Sequence, residues 1–210
     1  LFISNKTNKK RTYSIAHGFS ILTDNIVYYI NLNNKLIIEP WLVNSEFSEI
    51  QKLFEIISIT DNFYQILLPK INANFENLAD LYSQLITKII AHYKINIVYN
   101  SSFDLFSIST IIIDKIFYIY DICDDYLAME GTATQRAYIN HFIETELYKA
   151  NLITTSSFTI QKIYQRKYWK NIVVVPNGAI KNNCAAEEIS NFEIAFRKKY
   201  NISNHTKIIT

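Results

Sequence analysis

The chain has 210 residues, a formal net charge of +2, 49% hydrophobic and 19% charged residues, three glycines and three prolines. That balance fits one α/β domain of ordinary to large size, or two small ones, with a real core. It excludes collagen-like or linker-dominated structure, and without a long basic block it gives no pull towards nucleic acid.

In chain order, Leu1 to Ser4 is a first strand, followed by the polar turn NKTNKKR. Thr12 to Leu22 has apolar residues at helical spacing, and Asn25 to Leu32 (with IVYYI) is a second strand. Lys35 to Pro40 is apolar enough for an additional strand. Glu46 to Ile57 reads as a helix on the stripe Phe47, Ile50, Leu53, Phe54 and Ile57. Phe63 to Pro69 is another strand, closed by its proline.

Glu76 to Tyr93 carries the clearest helical face, with Leu78, Leu81, Leu85, Ile86, Ile89 and Ile90 along one side. Ile95 to Tyr99 follows as a strand, and Phe103 to Ile112 as a short helix. Thr134 to Lys149 is a helix, Leu152 to Thr155 a strand, Ser157 to Tyr168 a helix and Ile172 to Val175 a strand. Lys181 to Glu188 is polar and unpatterned, and Phe192 to Tyr200 has the length of a short helix. Strand and helix alternate through nearly the whole chain, which predicts a doubly wound parallel sheet.

The most informative stretch is Lys115 to Tyr126, KIFYIYDICDDY, where an apolar run ends in Asp121, Asp124 and Asp125. The run reads as a strand buried on both faces. Open α/β sheets meet their ligands at the carboxyl ends of such strands, so these three carboxylates are the first candidates for a cleft floor. One capping a helix and another merely solvated is the competing reading.

Lys9, Lys10 and Arg11 fall in the loop after the first strand, either facing phosphate groups or forming a solvated basic turn. Glu144 and Glu146 lie on a helix, where a charged face is usually hydrated. Ser156 and Ser157 either touch ligand or cap the next helix. Asn177 and Gly178 shape a turn. His17 and His141 read as surface or packing residues. Arg166 to Lys170 mixes cations with aromatics, which suits either an anionic membrane surface or a solvated helix end.

Cys123 and Cys184 lack metal-ligand spacing, and a reduced compartment is the simplest inference. No apolar run approaches a membrane span: Ile111 to Ile122 is broken by Asp114 and Lys115. The first residues lack a basic leader. A cytoplasmic chain is expected, with a peripheral contact at the inner membrane face left open.

Several of these pieces recur in order: Arg11 after the first strand, Tyr120-Asp121-Ile-Cys-Asp124-Asp125, a helix with Glu144 and Glu146, Ala150-Asn151-Leu-Ile-Thr-Thr-Ser156, and Val175-Pro176-Asn177-Gly178. Together, over most of residues 1–180, they resemble the N-terminal domain of GT-B glycosyltransferases of the group related to family 4. Asn151 stands where relatives commonly have an acidic residue, Ala179-Ile180 follows Asn177-Gly178 in place of Val-Asp, and Cys123 occupies the neighbourhood of a frequent histidine.

The resemblance implies a Rossmann-like domain forming one half of a GT-B architecture. It assigns residues 1–180 to the acceptor-side domain, and 181–210 to a linker and the start of a truncated donor-binding domain. The implied activity is metal-independent transfer of a sugar from a nucleotide-sugar to a glycan or lipid-linked acceptor in cell-surface polysaccharide synthesis, with no cofactor beyond the donor. Asp121, Asp124 and Asp125 become the implied catalytic residues, and Arg11, Glu144, Ser156, Asn177 and Gly178 the substrate-binding ones. Two rivals stand beside it: a non-catalytic acceptor- or partner-binding subunit, and an unrelated flavodoxin-like nucleotide-binding domain.

Overall fold

The computed structural model describes residues 1–3, 10–32, 35–102, 106–107, 115–128 and 131–177. They belong to a compact unit, Leu1–Gly178. Gly178, Cys184, the expected helix at Phe103 to Ile112 and everything expected beyond residue 180 lie outside the described residues.

The chain opens with β1 (Phe2–Ile3), α1 (Lys10–Leu22) and β2 (Val27–Asn31). A short strand β3 (Ile37–Ile38), a 3-10 turn at Pro40–Asn44, α2 (Phe47–Ile50) and a 3-10 turn at Gln51–Leu53 follow. Next come β4 (Glu55–Thr60), β5 (Phe63–Leu67), β6 (Lys70–Ile71), α3 (Phe75–His92) and β7 (Ile97–Asn100). The later elements are β8 (Phe117–Ile122), α4 (Ala133–Lys149), β9 (Leu152–Thr155), α5 (Phe158–Tyr168) and β10 (Val173–Val174).

Among the described residues, eight strands form one sheet in the order β10-β9-β8-β7-β1-β2-β5-β4, while β3 and β6 pair separately. Every pairing in the large sheet is parallel except β4 with β5. This is a Rossmann-like α/β fold, as the alternating pattern predicts. Strand order reverses at β1, between β2 and β7, so the crevice outside the carboxyl ends of β1 and β7 is the topological switch point.

Strand alternation sends successive side chains to opposite faces. Ile3, Ile30, Ile66, Val98, Tyr118, Tyr120, Ile122 and Ile153 pack into the main core with Leu85, Ile86 and Ile89 of α3 and Ile143 and Leu147 of α4. Phe2, Val27, Tyr29, Phe63 and Tyr99 face α1, where Ala16 is buried and Tyr13 and Phe19 add aromatic contacts. Thr132 and Gln135 form a capping box at the start of α4, each side chain accepting from the other's backbone N–H.

Four expectations change. The helix read over Glu46 to Ile57 stops at Leu53: Phe54 is extended and Glu55 begins β4. Ile56, Ile57 and Ile59 are β-branched, and the turn at Asp61-Asn62 folds them against β5, so hairpin pairing outweighs the helical stripe. The resulting edge makes the sheet mixed rather than wholly parallel. The strand expected from Lys35 to Pro40 shrinks to two residues, because Pro40 starts a 3-10 turn. Arg11 lies in the first turn of α1 rather than in a loop.

Candidate functional site

Asp121 is the fifth residue of β8 and is fully buried on the α1 side of the sheet, next to Thr154 in register on β9. A bare carboxylate there would be costly, and its partners explain why it survives. Arg11 reaches it from α1 with Nε donating to Oδ2 and Nη2 donating to Oδ1, both at 3.0 Å. Thr154 Oγ1 adds a donation to Oδ1 at 2.7 Å. Burial works against the Arg11 charge, but the hydrogen bonds and charge of Asp121 outweigh it and the guanidinium is held still more firmly protonated.

The third guanidinium contact runs to the last described turn: Arg11 Nη1 donates to Asn177 Oδ1 at 3.0 Å. Arginine has five N–H donors. These three bonds leave two that no described residue engages. Three residues singled out from the sequence, Arg11, Asp121 and Asn177, therefore meet at the carboxyl end of the sheet from three different elements.

Tyr99 on β7 is buried beside them. Burial, and next the charge of Asp121, pushes its hydroxyl far above the ordinary phenolic range, so it stays protonated, and that buried hydroxyl has no hydrogen-bond partner among the described residues. At the switch point itself, Thr12 Oγ1 and Ser101 Oγ share a hydrogen bond of 2.7 Å, and Ser101 Oγ donates to Ile3 O at 3.1 Å. These bonds fix the start of α1 against the ends of β1 and β7.

The loop after β8 holds the other two carboxylates. Asp124 is exposed, and Cys123 Sγ points to it at 3.8 Å. Asp125 is half-buried, and its Oδ1 is buried without a hydrogen-bond partner among the described residues. A buried carboxylate oxygen with nothing donating to it is an open acceptor. Cys123 Sγ also lies 2.8 Å from the Tyr126 hydroxyl. Burial, followed by the neighbouring Cys123, raises the ionisation of Tyr126 well above its ordinary value.

Ser156 Oγ donates to Cys123 O at 2.9 Å, joining the ends of β8 and β9, while Ser157 caps α5 by accepting from Ile160 N at 3.3 Å. Glu144 is exposed on α4 and is not among the partners of Asp121. His17 packs against Tyr13 and Phe63, and His141 is exposed.

Glu146 differs from the hydrated helix face expected of it: it is fully buried in a separate polar cluster on the other side of the sheet. Tyr118 donates its hydroxyl proton to Oε2, and Ser107 Oγ donates to Oε1 at 2.5 Å. Lys149 Nζ sits 3.5 Å from Oε1 and 2.8 Å from Ser107 Oγ, and Asn100 Nδ2 donates to the Tyr118 hydroxyl at 2.9 Å. Burial raises the Glu146 carboxyl above its ordinary value despite these stabilising partners.

Sequence reading missed Thr154, Thr12, Ser101 and Tyr99. Thr154 carried a usable signal, since a polar residue at the end of a strand adjoining β8 falls beside Asp121. Tyr99 carried none, because a tyrosine in a β-branched run reads as core.

Among the described residues no group of histidine, cysteine and acidic side chains has metal-site geometry, and no helix is long and apolar enough to cross a membrane. No family model and no curated protein matches the chain. Among solved structures, a sucrose-phosphate synthase from Thermosynechococcus elongatus is similar to it, with a TM-score of 0.47 and 11% sequence identity over 96% of this chain and 97% of that one.

Proposed function

We propose that the chain is the acceptor-side part of a metal-independent glycosyltransferase that moves a sugar from a nucleotide-sugar to a glycan or lipid-linked acceptor, in the synthesis of cell-surface polysaccharide. The observation that carries this reading is the convergence of Arg11, Asp121 and Asn177 at the carboxyl end of a Rossmann-like sheet, beside a loop bearing Asp124 and Asp125. In this reading residues 1–180 form the acceptor-side domain, and residues 181–210 form a linker and open a donor-side α/β domain.

Glycosyl transfer needs the acceptor hydroxyl to lose a proton as it attacks the anomeric carbon and the nucleotide diphosphate departs. We assign that proton to Asp125, whose half-buried carboxylate sits on the loop after β8 and, unlike Asp121, is not engaged by Arg11 or Thr154. Asp121 is saturated by Arg11 and Thr154, so its part is to hold Arg11 in position. The two N–H groups of Arg11 that no described residue engages would meet anionic oxygen of donor or acceptor. Glu144, Ser156, Asn177 and Gly178 would complete the acceptor wall.

A second reading, a non-catalytic subunit that binds acceptor or partner, is favoured by the same saturation of Asp121. Contact with the inner membrane face would run through Arg166, Lys167, Lys170 and Trp169, which is almost entirely exposed.

The test incubates full-length protein with labelled nucleotide-sugars and lipid-linked acceptors, with and without a chelator. Chelator-insensitive transfer is the expected result. Failure to bind or turn over any donor removes the transferase reading, while acceptor binding without turnover selects the second.

A further inference from the structure

Among the described residues, α3, α4 and α5 pack on the main-core side of the large sheet, and α1 is the one helix on the other side. Parallel sheets are ordinarily covered on both faces. Here α1 lies over β1 and β2, and beside it runs a groove of about 470 Å³. Phe2, Ile97, Tyr99 and Ile119 form its floor, and Ile15 and Phe19 of α1 form one wall. The groove is continuous with the candidate site. Phe2, Tyr99 and Ile119 stand in register across β1, β7 and β8, and the next residue of β8 on that face is Asp121. Ile15 is one helical turn along α1 from Arg11, and Val175, also in the lining, comes two residues before Asn177. Each of the three residues that meet at the site thus has a groove-lining neighbour on its own element.

We infer that this groove takes the hydrocarbon tail of a lipid-linked acceptor whose phosphate lies against Arg11. The inference rests on the transferase reading and narrows its acceptor from glycan or lipid-linked to lipid-linked. The size and the apolar, aromatic lining are those of a small-molecule site, which commonly encloses about 300–1,000 Å³. The floor strands β1, β7 and β8 each have a strand on both sides, so their backbone groups are already paired. An extended peptide laid on them would bury its own N–H and C=O groups without partners. The volume is about that of a single helical turn, whereas a docked helix uses at least two. A hydrocarbon chain needs neither polar partners nor that width.

At the mouth the requirement reverses. Arg11, held by Asp121 and Asn177, presents a guanidinium there, which selects an anionic head. The second cation on the groove, Lys94, lies at the opposite end, before β7, so the direction in which the ligand lies is itself a testable part of the inference.

Isothermal titration of the full chain with decyl phosphate, below its micelle concentration, should give saturable binding of one molecule per chain. Decyltrimethylammonium, with the same tail and the opposite charge, should bind at least about tenfold more weakly, and inorganic phosphate should give no heat. Ile97→Gln places an amide in the groove at a position 40% exposed, and should weaken decyl phosphate about tenfold with an unchanged circular-dichroism spectrum. A second arm needs no variant: decyl phosphate carrying a diazirine on its last carbon should label residues 93–97 or 25–28 on illumination, and not residues 11–15. No saturable binding, equal binding of the two charge types, an unaffected Ile97→Gln or labelling at residues 11–15 overturns the inference. These readouts do not depend on turnover. Sugar transfer to soluble glycans by a chain that binds no decyl phosphate would remove the lipid groove and keep the transferase. Decyl phosphate binding by a chain that transfers nothing would do the opposite.

Discussion

Arg11 and Asp121, 110 positions apart, meet in a two-point contact in which both guanidinium–carboxylate distances are 3.0 Å. The carboxylate is fully buried and the guanidinium nearly so, which makes this pair unlike a surface ion pair of little consequence. Arg11→Lys keeps the charge and loses the planar fork, so it should not restore function. Asp121→Ala leaves a buried cation unpaired and should cost about 3–5 kcal/mol. Urea unfolding of Arg11→Ala, of Asp121→Ala and of the two together measures the coupling, and additive losses would show the contact to be energetically idle.

Asp125 and Asp124 separate by environment. If the proposed sugar transfer is the activity, Asp125→Asn should lower its turnover by roughly 10²–10⁴-fold with donor affinity unchanged, as expected for lost proton acceptance. Asp124→Asn, at an exposed position, should change turnover much less. Initial rates across donor concentration decide between them, and equal small effects would take Asp125 out of the proton-transfer role.

Glu146 should give the fold a pH dependence of a definite sign. Its carboxyl in the folded chain binds a proton more tightly than the ordinary value of 4.5, so the folded state holds more protons than the unfolded one above that pH. Stability attributable to Glu146 is therefore full below about pH 4.5 and falls as pH rises through its raised folded value. Glu146→Gln removes this dependence. The difference between wild-type and variant unfolding free energies, followed from acid to neutral pH, should shift in favour of the variant as pH rises, and a flat difference would contradict the assignment.

Two neighbouring tyrosines of β8 should respond oppositely to loss of a hydroxyl. Tyr118 donates to Glu146 and accepts from Asn100, so Tyr118→Phe should cost about 1–3 kcal/mol. Tyr120 is equally buried, but its hydroxyl has no hydrogen-bond partner among the described residues. Tyr120→Phe should be neutral or stabilising by up to about 1 kcal/mol. Thermal unfolding of both variants, side by side, is the check.

Much of this architecture was legible because the elements that carry it obey one period each. α3 shows its apolar face at helical spacing, and β8 and β9 are runs of strand length rich in aromatic and β-branched residues. β4 was not legible, since Phe47, Ile50, Leu53, Phe54 and Ile57 fit a helical stripe, and only pairing with β5 decides that the later residues extend. Within the candidate site, charged residues announced themselves and their environments did not. Asp121 and Asp125 read alike in sequence, yet one is saturated and the other keeps an open oxygen. Glu144 and Glu146 are two positions apart on one helix, and only the rotation of α4 against the sheet leaves the first exposed and buries the second.

The place of β1 in the sheet bears on how the chain reaches this state during synthesis. The sheet divides at this two-residue strand, with β2, β5 and β4 on one side and β7 to β10 on the other. The first group can assemble from neighbouring segments as they emerge. The second has nothing to join until β7 is made, nearly one hundred residues after β1, and the backbone N–H groups of Tyr99 and Ser101 reach Leu1 O and Ile3 O. Until then the edge of β1 that β7 will occupy has no partner, and closing that seam is the longest-range pairing in the sheet, while β8, β9 and β10 add in turn to β7 and to one another.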